Sequence, residues 1–327
     1  MKTTIKKIGV FTSGGDAPGM NASLRAVVRT ACFHNIEVVG IKCGYEGMIN
    51  GDFRPLEKRD VGNIIQRGGT FLKTARSKEF MTEKGRAKAF KHLKKHKIEA
   101  LIALGGNGTF TGAEIFHKEF DLPIVGVPCT IDNDLYGTDK TIGFDTAVNT
   151  AVEAVDKIRD TAESHNRLFF VEVMGRHAGF IALHTAIASG AGSVILPEKE
   201  TTIDELVKHY AAVAKSKRMT SLVIVAEGNP LGSADEIAKK VEKRLDVFDV
   251  RVTVIGHLQR GGSPSAYDRV LASRLGFSAV NALLEGHQDI MVGVDNDQIK
   301  YTPFKYAINN QKDLNLRLIR LAEILAI

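Results

Sequence analysis

Residues 123–134 read PIVGVPCTIDND, an apolar run that ends in a cluster of polar side chains. The apolar part is typical of a strand that is buried on both faces of a parallel sheet. Asp and Asn favour turns because they hydrogen-bond nearby backbone amides, so a surface turn alone would explain Asp132, Asn133 and Asp134. In parallel α/β sheets, however, ligands bind beyond the carboxyl ends of the strands. The stretch therefore predicts either a turn or a ligand site at the end of a core strand.

Short apolar runs of the same kind recur along the chain, separated by stretches with helical periodicity. The other runs are IGVFT, VVGIKC, ALIALGG, LFFVEVMG, SVILPE, LVIVAEG and VTVIGHL. One helix face is marked by apolar residues at helical spacing, namely Leu24, Val27, Val28, Ala31 and Cys32. Ser233 and Glu236 form a capping-box pattern at the start of SADEIAKKVEKRL. Strands that alternate with helices in this way predict parallel α/β layers.

The composition is that of a globular protein. With 327 residues, 44% hydrophobic and 25% charged, the chain is long enough for two domains. Its three cysteines have no CxxC spacing, which predicts neither a disulfide framework nor a zinc cluster and favours a reducing cytoplasm. No segment approaches the roughly 18 apolar residues of a membrane span, so we expect no membrane association.

The charge balance is moderately basic, with 44 Lys and Arg against 38 Asp and Glu, a net charge of +6. This excess suits phosphorylated small molecules or nucleic acid. The basic run KHLKKHK, residues 91–97, lies in a helical pattern just before an apolar run, where cations near a helix C-terminus are ordinary. Trp is absent and only 7% of residues are aromatic, so few side chains are available to stack on bases and we expect no nucleic-acid partner.

Six polar or glycine-rich stretches each follow an apolar run: SGGDAPGMN, GGNGT, TIDND, MGRHAG, EGNP and HLQRGGSP. Because the carboxyl ends of parallel strands lie at one edge of a sheet, we expect such stretches to meet there. Gly14, Gly15, Gly105, Gly106 and Gly108 would let backbone N–H groups approach a phosphate, although each loop is also an ordinary tight turn. The two stretches that contain these glycines, SGGDAPGMN and GGNGT, have neither the spacing of a Walker P-loop nor that of a GxGxxG dinucleotide motif.

Five arginines lie in or near these stretches: Arg76, Arg167, Arg176, Arg251 and Arg260. The planar guanidinium fork suits phosphate, whereas an isolated Arg is usually a partner in a surface ion pair. Carboxylates among phosphate-binding groups predict phosphoryl transfer, in which Asp132 and Asp134 would supply a base and support for a metal.

These stretches resemble, in one collinear order, the bacterial ATP-dependent 6-phosphofructokinases. The resemblance covers residues 5 to about 285 and rests on IGVFTSGGDAPGMNA, GGTFLKTAR, TIDND, GTDKTIGFDTA, VEVMGRHAG and GHLQRGGSPSAYDRVLASRLG. It implies transfer of the γ-phosphate of ATP to the C1 hydroxyl of fructose 6-phosphate in glycolysis, with Mg²⁺, by an allosteric cytoplasmic homotetramer.

The same resemblance implies the architecture. It predicts two three-layer α/β/α domains with mostly parallel sheets and an active site in the cleft between them. The larger, nucleotide-binding domain would comprise residues 1–143 plus 257–306. The smaller domain, which binds fructose 6-phosphate, would comprise residues 144–256 plus 307–327.

The resemblance also implies residue roles. Asp132 would be the base, Arg76 would stabilise the transferring phosphoryl group, and Thr130 and Arg176 would assist them. The fructose 6-phosphate site would comprise Thr130, Asp132, Arg167, Met174, Gly175, Arg176, Glu227, Arg251, His257, Leu258, Gln259 and Arg260, with Arg167 and Arg251 lent across a subunit interface. The ATP site would comprise Gly14, Arg76, Ser77, Gly105, Gly106, Asn107, Gly108 and Thr109. Asn107 and Asp134 would support Mg²⁺, and a structural role stays open for His257.

Three positions depart from the family pattern or bear on the phosphoryl donor. Asn107 stands where bacterial ATP users have Asp, which predicts weaker metal binding because divalent cations prefer carboxylates. Pyrophosphate users have Asp where this chain has Gly108, so Gly108 favours ATP. Cys129 stands where ATP users have Gly and pyrophosphate users have Lys, and we expect it to narrow the site without filling it.

An effector site for ADP or phosphoenolpyruvate is implied as well. Its residues would be Arg25, Arg29, Arg59, Arg159, Gly190, Lys215 and Lys217. Gly192 stands where the family has a Glu that binds the effector's magnesium. We therefore expect altered regulation, with activation by a metal–nucleotide weakened more than inhibition by phosphoenolpyruvate.

Two other functions stay open on the sequence. One is a pyrophosphate-dependent phosphofructokinase. The other is a catalytically weak regulatory paralogue that binds sugar phosphate and nucleotide, suggested by Asn107, Cys129 and Gly192 together. The presence of Asp132, Asp134 and Arg76 speaks against the second. A nucleic-acid binder is suggested only by the pI of 9.1.

Overall fold

The structure, a computed structural model, describes residues 5–163, 167–215, 222–245 and 247–326. The chain forms two compact units, the first comprising residues 1–131, 135–146 and 260–312 and the second residues 132–134, 147–259 and 313–327. The predicted larger domain has boundaries at residues 143, 257 and 306, and the corresponding boundaries of the first unit lie slightly later, at residues 146, 260 and 312. Residues 132–134 differ most, because they group with the second unit although the prediction placed them in the first. Which unit binds which substrate stays a prediction.

The described elements alternate between strands and helices up to β10, and β11, α10 and α11 follow it. In the first half of the chain they are β1 (Lys7–Thr12), α1 (Met20–Phe33), β2 (Glu37–Ile41), α2 (Gly44–Asn50), β3 (Phe53–Leu56), α3 (Glu83–Lys95), β4 (Ala100–Gly105), α4 (Asn107–Phe120), β5 (Ile124–Pro128) and α5 (Phe144–Glu163). In the second half they are β6 (Arg167–Val173), α6 (Phe180–Ser189), β7 (Ser193–Ile195), α7 (Ile203–Lys215), β8 (Leu222–Ala226), α8 (Ala234–Glu242), β9 (Asp249–Val254), α9 (Ala266–Leu284), β10 (Ile290–Asp295), β11 (Gln298–Pro303), α10 (Phe304–Asn309) and α11 (Leu316–Leu325).

The first unit is built on a sheet that has, within the described residues, seven strands in the order β11-β10-β5-β4-β1-β2-β3. The strands from β10 to β2 are parallel to their neighbours, and the edge strands β11 and β3 are antiparallel. All eight predicted runs form strands, which confirms the α/β class. The prediction missed β3, β10 and β11. Two of these are edge strands with polar side chains, and such strands lack the continuous apolar run of a buried parallel strand.

Helices cover both faces of this sheet. On one face α2, α3, α4 and α10 share a core with Leu101 and Ala103 of β4, and Phe110 and Phe304 stack with ring centroids 5.1 Å apart. Because side chains alternate along a strand, Ile102 and Leu104 point to the opposite face. Helices α1 and α9 pack together and contact the sheet on that side. The unit therefore has the three layers that were predicted.

The second unit contains a parallel sheet that, in its described part, has the strand order β7-β8-β6-β9. Helices α7 and α8 share a core with Phe170, Val223 and Val250, and α6 packs against β7 and β8. The predicted capping box is confirmed, because Glu236 N donates to Ser233 Oγ (3.3 Å) and Ser233 N donates to a Glu236 carboxylate oxygen (2.8 Å). The basic run KHLKKHK spans the C-terminal end of α3, where its lysines are exposed and Leu93 is buried, as its structural interpretation predicts.

None of the helices in the four described ranges combines the length and the apolarity that a membrane span requires.

A buried carboxylate, Asp268, holds the start of α5. It accepts hydrogen bonds from Gly143 N (2.9 Å), Thr146 N (2.8 Å) and Thr146 Oγ1 (2.5 Å), and its exposed fraction is 0%. Burial raises the pKa of the Asp268 carboxyl, and the bonds from Thr146 and Gly143 oppose that rise. These contacts join chain segments more than a hundred residues apart, so no local pattern predicted them.

We expect Asp268→Ala to lower the free energy of unfolding by about 2–4 kcal/mol, because it leaves buried N–H groups without an acceptor. Urea unfolding measures this loss. Glu153→Ala, which removes an exposed ion pair with Lys157 on a helix, is the control and should cost less than about 1 kcal/mol. A similar loss in both variants would contradict the role of Asp268.

The same carboxyl adds a pH dependence. Because the pKa of the Asp268 carboxyl is higher in the folded protein than in the unfolded chain, its protonation stabilises the fold. This contribution to the free energy of unfolding is fully present below the unfolded pKa of about 3.9, and it is lost as pH rises through the folded pKa. The stability advantage of the wild type over Asp268→Asn should therefore decline as pH rises.

Candidate active site

The loops that follow β1, β4 and β5 lie side by side in the first unit, because these three strands are neighbours in the sheet. Ser13 N donates to Leu104 O at 3.0 Å, and Cys129 N donates to Gly105 O at 2.9 Å. The glycine-rich stretches SGGDAPGMN and GGNGT are thus brought together, as expected. A side chain at Gly105 would overlap Thr109 Oγ1 and lie 2.6 Å from Ser13 O, so this close approach requires glycine.

The N-terminus of α4 opens beside these loops. Gly106 is its N-cap and brings no capping side chain, and the first turn contains no acidic residue. Thr109 is 2% exposed, and its Oγ1 has no hydrogen-bond partner among the described residues. A Cβ added at Gly108 would have none of the described atoms within 4 Å. The helix end therefore presents positive backbone dipole, an unused hydroxyl and open space, which together suit an anion.

The segment that carries Arg76 and Ser77 is held by a buried side chain that was not predicted. Asn21 Nδ2 donates to Arg67 O (2.9 Å) and Gly68 O (3.1 Å), and its Oδ1 accepts from Phe71 N (2.7 Å). The Arg76 side chain is exposed and has no ion pair in the part of the chain that the structure describes. Ser77 Oγ accepts from Phe80 N at 3.2 Å and so caps the following turn. Arg76 is therefore a cation available to solvent.

Cys129 lies in the interior of the first unit, with 1% exposure, and burial raises the pKa of its thiol. Its predicted narrowing of the nucleotide site stays a prediction. Arg260 lies against the loop after β1, where its Nη1 donates to Asp16 O at 3.3 Å. A Cβ added at Gly15 would lie 2.5 Å from that Nη1, so the guanidinium packs directly on Gly15. Gly14 lies in the same loop.

The polar cluster after β5 is largely buried. Asp132 is 8% exposed and Asn133 2%, whereas Thr130 and Asp134 are half-buried. The backbone of this cluster is fixed by Thr141 Oγ1, which donates to Thr130 O at 2.6 Å. A buried carboxylate on a fixed backbone is more than a surface turn requires, and this favours the ligand-site interpretation.

In the second unit the loops after β6, β8 and β9 also come together. Met174 N donates to Gln259 Oε1 at 2.9 Å, and Glu227 N donates to Val173 O at 2.9 Å. Gly175 has a φ of 149°, and a Cβ there would overlap Ala178 O. The structure thus brings the predicted residues Met174, Gly175, Glu227 and Gln259 to one edge of the sheet.

The side chains at this edge differ in exposure. Arg176, His257 and Leu258 are exposed, so His257 is not a buried structural histidine. Gln259 is 0% exposed, and its Nε2 has no hydrogen-bond partner among the described residues. Its Oε1 accepts the hydrogen bond from Met174 N, so in this conformation the buried Gln259 side chain positions the loop that follows β6.

Arg167 and Arg251 lie elsewhere in the second unit. Arg167 is the first residue of β6, whereas Met174 follows the last residue of that strand. At a rise of about 3.3 Å per residue, the two Cα atoms are separated by roughly 20 Å. Both guanidinium groups contact Asp249, a residue that was not predicted. Within this unit the structure does not bring the pair to the other predicted sugar-phosphate residues.

The predicted effector residues are distributed over both units. Arg25 and Arg29 lie on α1, and Arg59 forms an ion pair with Glu57 at 3.1 Å. In the second unit, the guanidinium of Arg159 donates to Ser189 O and Gly190 O. Lys215 ends α7, and Lys217 lies outside the described residues. Gly192 lines a cavity of about 330 Å³ together with residues of α7 and α11.

The metal prediction rests on donor chemistry. Asn107 opens α4 and Asp134 is half-buried, so each offers oxygen donors. The described residues contain no cluster of three His, Cys, Asp or Glu side chains that would hold a metal ion by itself. Mg²⁺ usually keeps several waters and binds one or two carboxylates together with substrate phosphates. An amide oxygen at Asn107 and a carboxylate at Asp134 are donors of the kind that Mg²⁺ takes, and their binding of one ion stays a prediction.

The sequence matches the family described as Phosphofructokinase over residues 7–283. The ATP-dependent 6-phosphofructokinase 1 of Thermus thermophilus is 56% identical over 323 residues, which cover 99% of this chain and 100% of that protein. The ATP-dependent 6-phosphofructokinase 2 of Bacteroides thetaiotaomicron is 52% identical over 324 residues, which cover 99% of each.

A solved structure of phosphofructokinase from Saccharomyces cerevisiae has the same fold, with a TM-score of 0.89 at 38% identity. The superposition covers 93% of this chain and 45% of the yeast chain. The match in fold therefore agrees with the matches in sequence. This chain belongs to the phosphofructokinase family, among its bacterial ATP-dependent members.

Proposed function

We propose that this protein transfers the γ-phosphoryl group of ATP to the C1 hydroxyl of fructose 6-phosphate and so forms fructose 1,6-bisphosphate. The observation that carries the proposal is the open N-terminus of α4, where Gly106 leaves the helix end uncapped, Gly108 leaves space, and the Thr109 hydroxyl is unused. Its bacterial relatives of 52% and 56% identity are named for the same activity.

The nucleotide side of the proposed reaction uses backbone dipoles and one exposed cation. The phosphates of ATP would bind at Gly14 and at the loop from Gly105 to Thr109, where N–H groups and the dipole of α4 favour negative charge. Arg76 has no ion pair within the described ranges, so its guanidinium is free to stabilise the transferring group. Charge that is positioned in advance stabilises the transition state more than the ground state.

The acceptor side uses a buried carboxylate. Asp132 would accept the proton of the C1 hydroxyl as the oxygen attacks, and its burial supports a fixed position for that base. Met174, Gly175, Arg176, Glu227 and His257 would contact the sugar phosphate, and Gln259 would hold their loop.

The proposal includes a homotetramer. Arg167 lies roughly 20 Å from the sugar-phosphate loop that follows β6, as estimated from the strand rise, and Arg251 shares the carboxylate of Asp249 with it. This separation supports the view that they serve the active site of a neighbouring subunit. A cytoplasmic location and regulation by ADP or phosphoenolpyruvate belong to the same proposal.

Magnesium is the proposed metal. Mg²⁺ bound to the ATP phosphates would neutralise charge during the transfer. Asp134 and Asn107 are the residues of this chain that would support it. Asn107 supplies an amide oxygen without the charge of a carboxylate.

The test is a coupled assay for fructose 1,6-bisphosphate with fructose 6-phosphate, Mg²⁺ and either ATP or pyrophosphate. We expect turnover with ATP. With pyrophosphate we expect kcat/KM, the quantity by which competing substrates are compared, to be at least about 100-fold lower. Turnover with pyrophosphate alone would overturn the assignment of the donor. Binding of both substrates without turnover would instead favour a regulatory paralogue.

We expect Asn107→Asp to lower the Mg²⁺ concentration for half-maximal activity several-fold, because a carboxylate is a better ligand for a hard cation than an amide. Activity is measured against free Mg²⁺ at fixed ATP. Asn50→Asp, at an exposed position on α2, is the control. An unchanged Mg²⁺ requirement in Asn107→Asp would contradict the role of this residue.

A further inference from the structure

Two arginines of the second unit share one carboxylate. Arg167 Nε lies 3.1 Å from Asp249 Oδ2, and Arg251 Nη2 lies 2.8 Å from the same oxygen. Arg167 and Asp249 are register partners on the adjacent strands β6 and β9. Arg251 follows Asp249 by two residues, so the period of the strand places both side chains on the same face. The carboxylate therefore lies between two guanidinium groups.

This arrangement leaves both cations available for a further ligand. The side chains of Arg167, Asp249 and Arg251 are 25%, 43% and 53% exposed, so solvent reaches all three. Each guanidinium uses one edge on Asp249 and retains other N–H donors. The cluster carries two positive charges and one negative charge. It can therefore bind an anion, but against the repulsion of its own carboxylate.

We propose that Asp249 is an internal counter-ion that sets the affinity of the Arg167–Arg251 pair for a phosphate dianion. The inference rests on the proposed function, in which this pair binds the phosphate of fructose 6-phosphate. Asp249 is a positioning and specificity residue and takes no part in the transfer itself. It keeps two like charges close together in the absence of ligand, and it competes with the incoming phosphate for them.

The sign of the effect follows from the charges. Asn at position 249 keeps an oxygen that can accept from the same guanidinium groups, so their positions should change little. It removes the negative charge nearest to the bound phosphate and raises the net charge of the cluster from +1 to +2. Attraction for a dianion then increases, and salt screens the increase because the cluster is partly exposed.

The experiment is a calorimetric titration of the full-length protein with fructose 6-phosphate, without ATP. For Asp249→Asn we expect Kd to fall about 3–10-fold at low salt, with the gain shrinking as NaCl rises towards 1 M. In steady-state assays the KM for fructose 6-phosphate should fall by a similar factor while kcat changes less than about twofold. Asp235→Asn, which removes a carboxylate from an exposed ion pair of the same unit, should leave both values unchanged.

A background without either arginine ties the gain to the pair. When Arg167→Leu and Arg251→Leu are combined, Asp249→Asn should no longer tighten binding. An unchanged or larger Kd in Asp249→Asn alone would overturn the proposal, and so would a gain that persists without both arginines. Titration with inorganic phosphate repeats the comparison independently of the reaction. If the wild type binds phosphate but never phosphorylates fructose 6-phosphate, the proposed function fails and the counter-ion effect is still tested.

Discussion

Replacement of Asp132 by Asn is expected to lower kcat by about 10²–10⁴-fold, the usual contribution of a general base. Asn has nearly the same shape, but it does not accept the proton of an attacking hydroxyl. The KM for fructose 6-phosphate should change only a few-fold. A fall in kcat with little change in KM assigns a residue to the transition state.

The position of Asp132 supports a large effect. The residue is 8% exposed, and it lies two residues after Thr130, whose carbonyl is fixed by Thr141. A base on a fixed backbone needs little reorganisation before it accepts a proton, so its replacement should slow mainly the chemical step. Single-turnover measurements with ATP and fructose 6-phosphate separate that step from product release.

Asp121→Asn is the matched control. Asp121 is exposed and ends α4 with a φ of 50°, a conformation that Asn adopts readily. This variant should retain the kcat of the wild type. If Asp132→Asn keeps more than about a tenth of the wild-type kcat, Asp132 is not the base that the reaction requires.

Most strands in the interior of the two sheets could be predicted because a strand that is covered on two faces needs a continuous apolar run. The edge strand β11, QIKYTP, faces solvent along much of its length, and its mainly polar sequence is also typical of a loop. The edge strand β3, FRPL, contains Arg and Pro, both of which suit an edge and weaken a prediction of strand. Polar edges account for β3 and β11 only, because the interior strand β10, IMVGVD, has a continuous apolar run and was missed as well.

The loops of the site could be predicted for a related reason, since parallel strands present their carboxyl ends at one edge. The side chains that hold those loops could not. Asn21 contacts Phe71 across 50 residues, and Asp268 contacts Gly143 across 125. An Asn or Asp in a helical pattern looks the same whether it faces solvent or clamps a distant loop. Its partner is decided by tertiary packing, which local periodicity does not contain.

Replacement of Gly108 by Asp is expected to lower kcat/KM for ATP by at least about 100-fold, since like charges in contact cost several kcal/mol and each 1.4 kcal/mol is a factor of ten. The new carboxylate would enter the open space at the start of α4, where the proposed ATP phosphates bind. The fold should tolerate it, because no described atom lies within 4 Å of the added Cβ. An acidic residue near a helix N-terminus even stabilises the helix by about 0.3–1 kcal/mol.

Two further variants separate charge from size and from the general effect of an added carboxylate. Gly108→Ala adds only a methyl group to open space and should keep kcat/KM for ATP within about fivefold of the wild type, because no close contact is created. Ile115→Asp places the same charge at an exposed position about two turns further along the same helix and should also retain activity. Binding of ATP, followed by calorimetry, should be lost only in Gly108→Asp. If Gly108→Asp binds and uses ATP as the wild type does, the phosphates do not lie at the N-terminus of α4, and the nucleotide site has to be sought elsewhere on the chain.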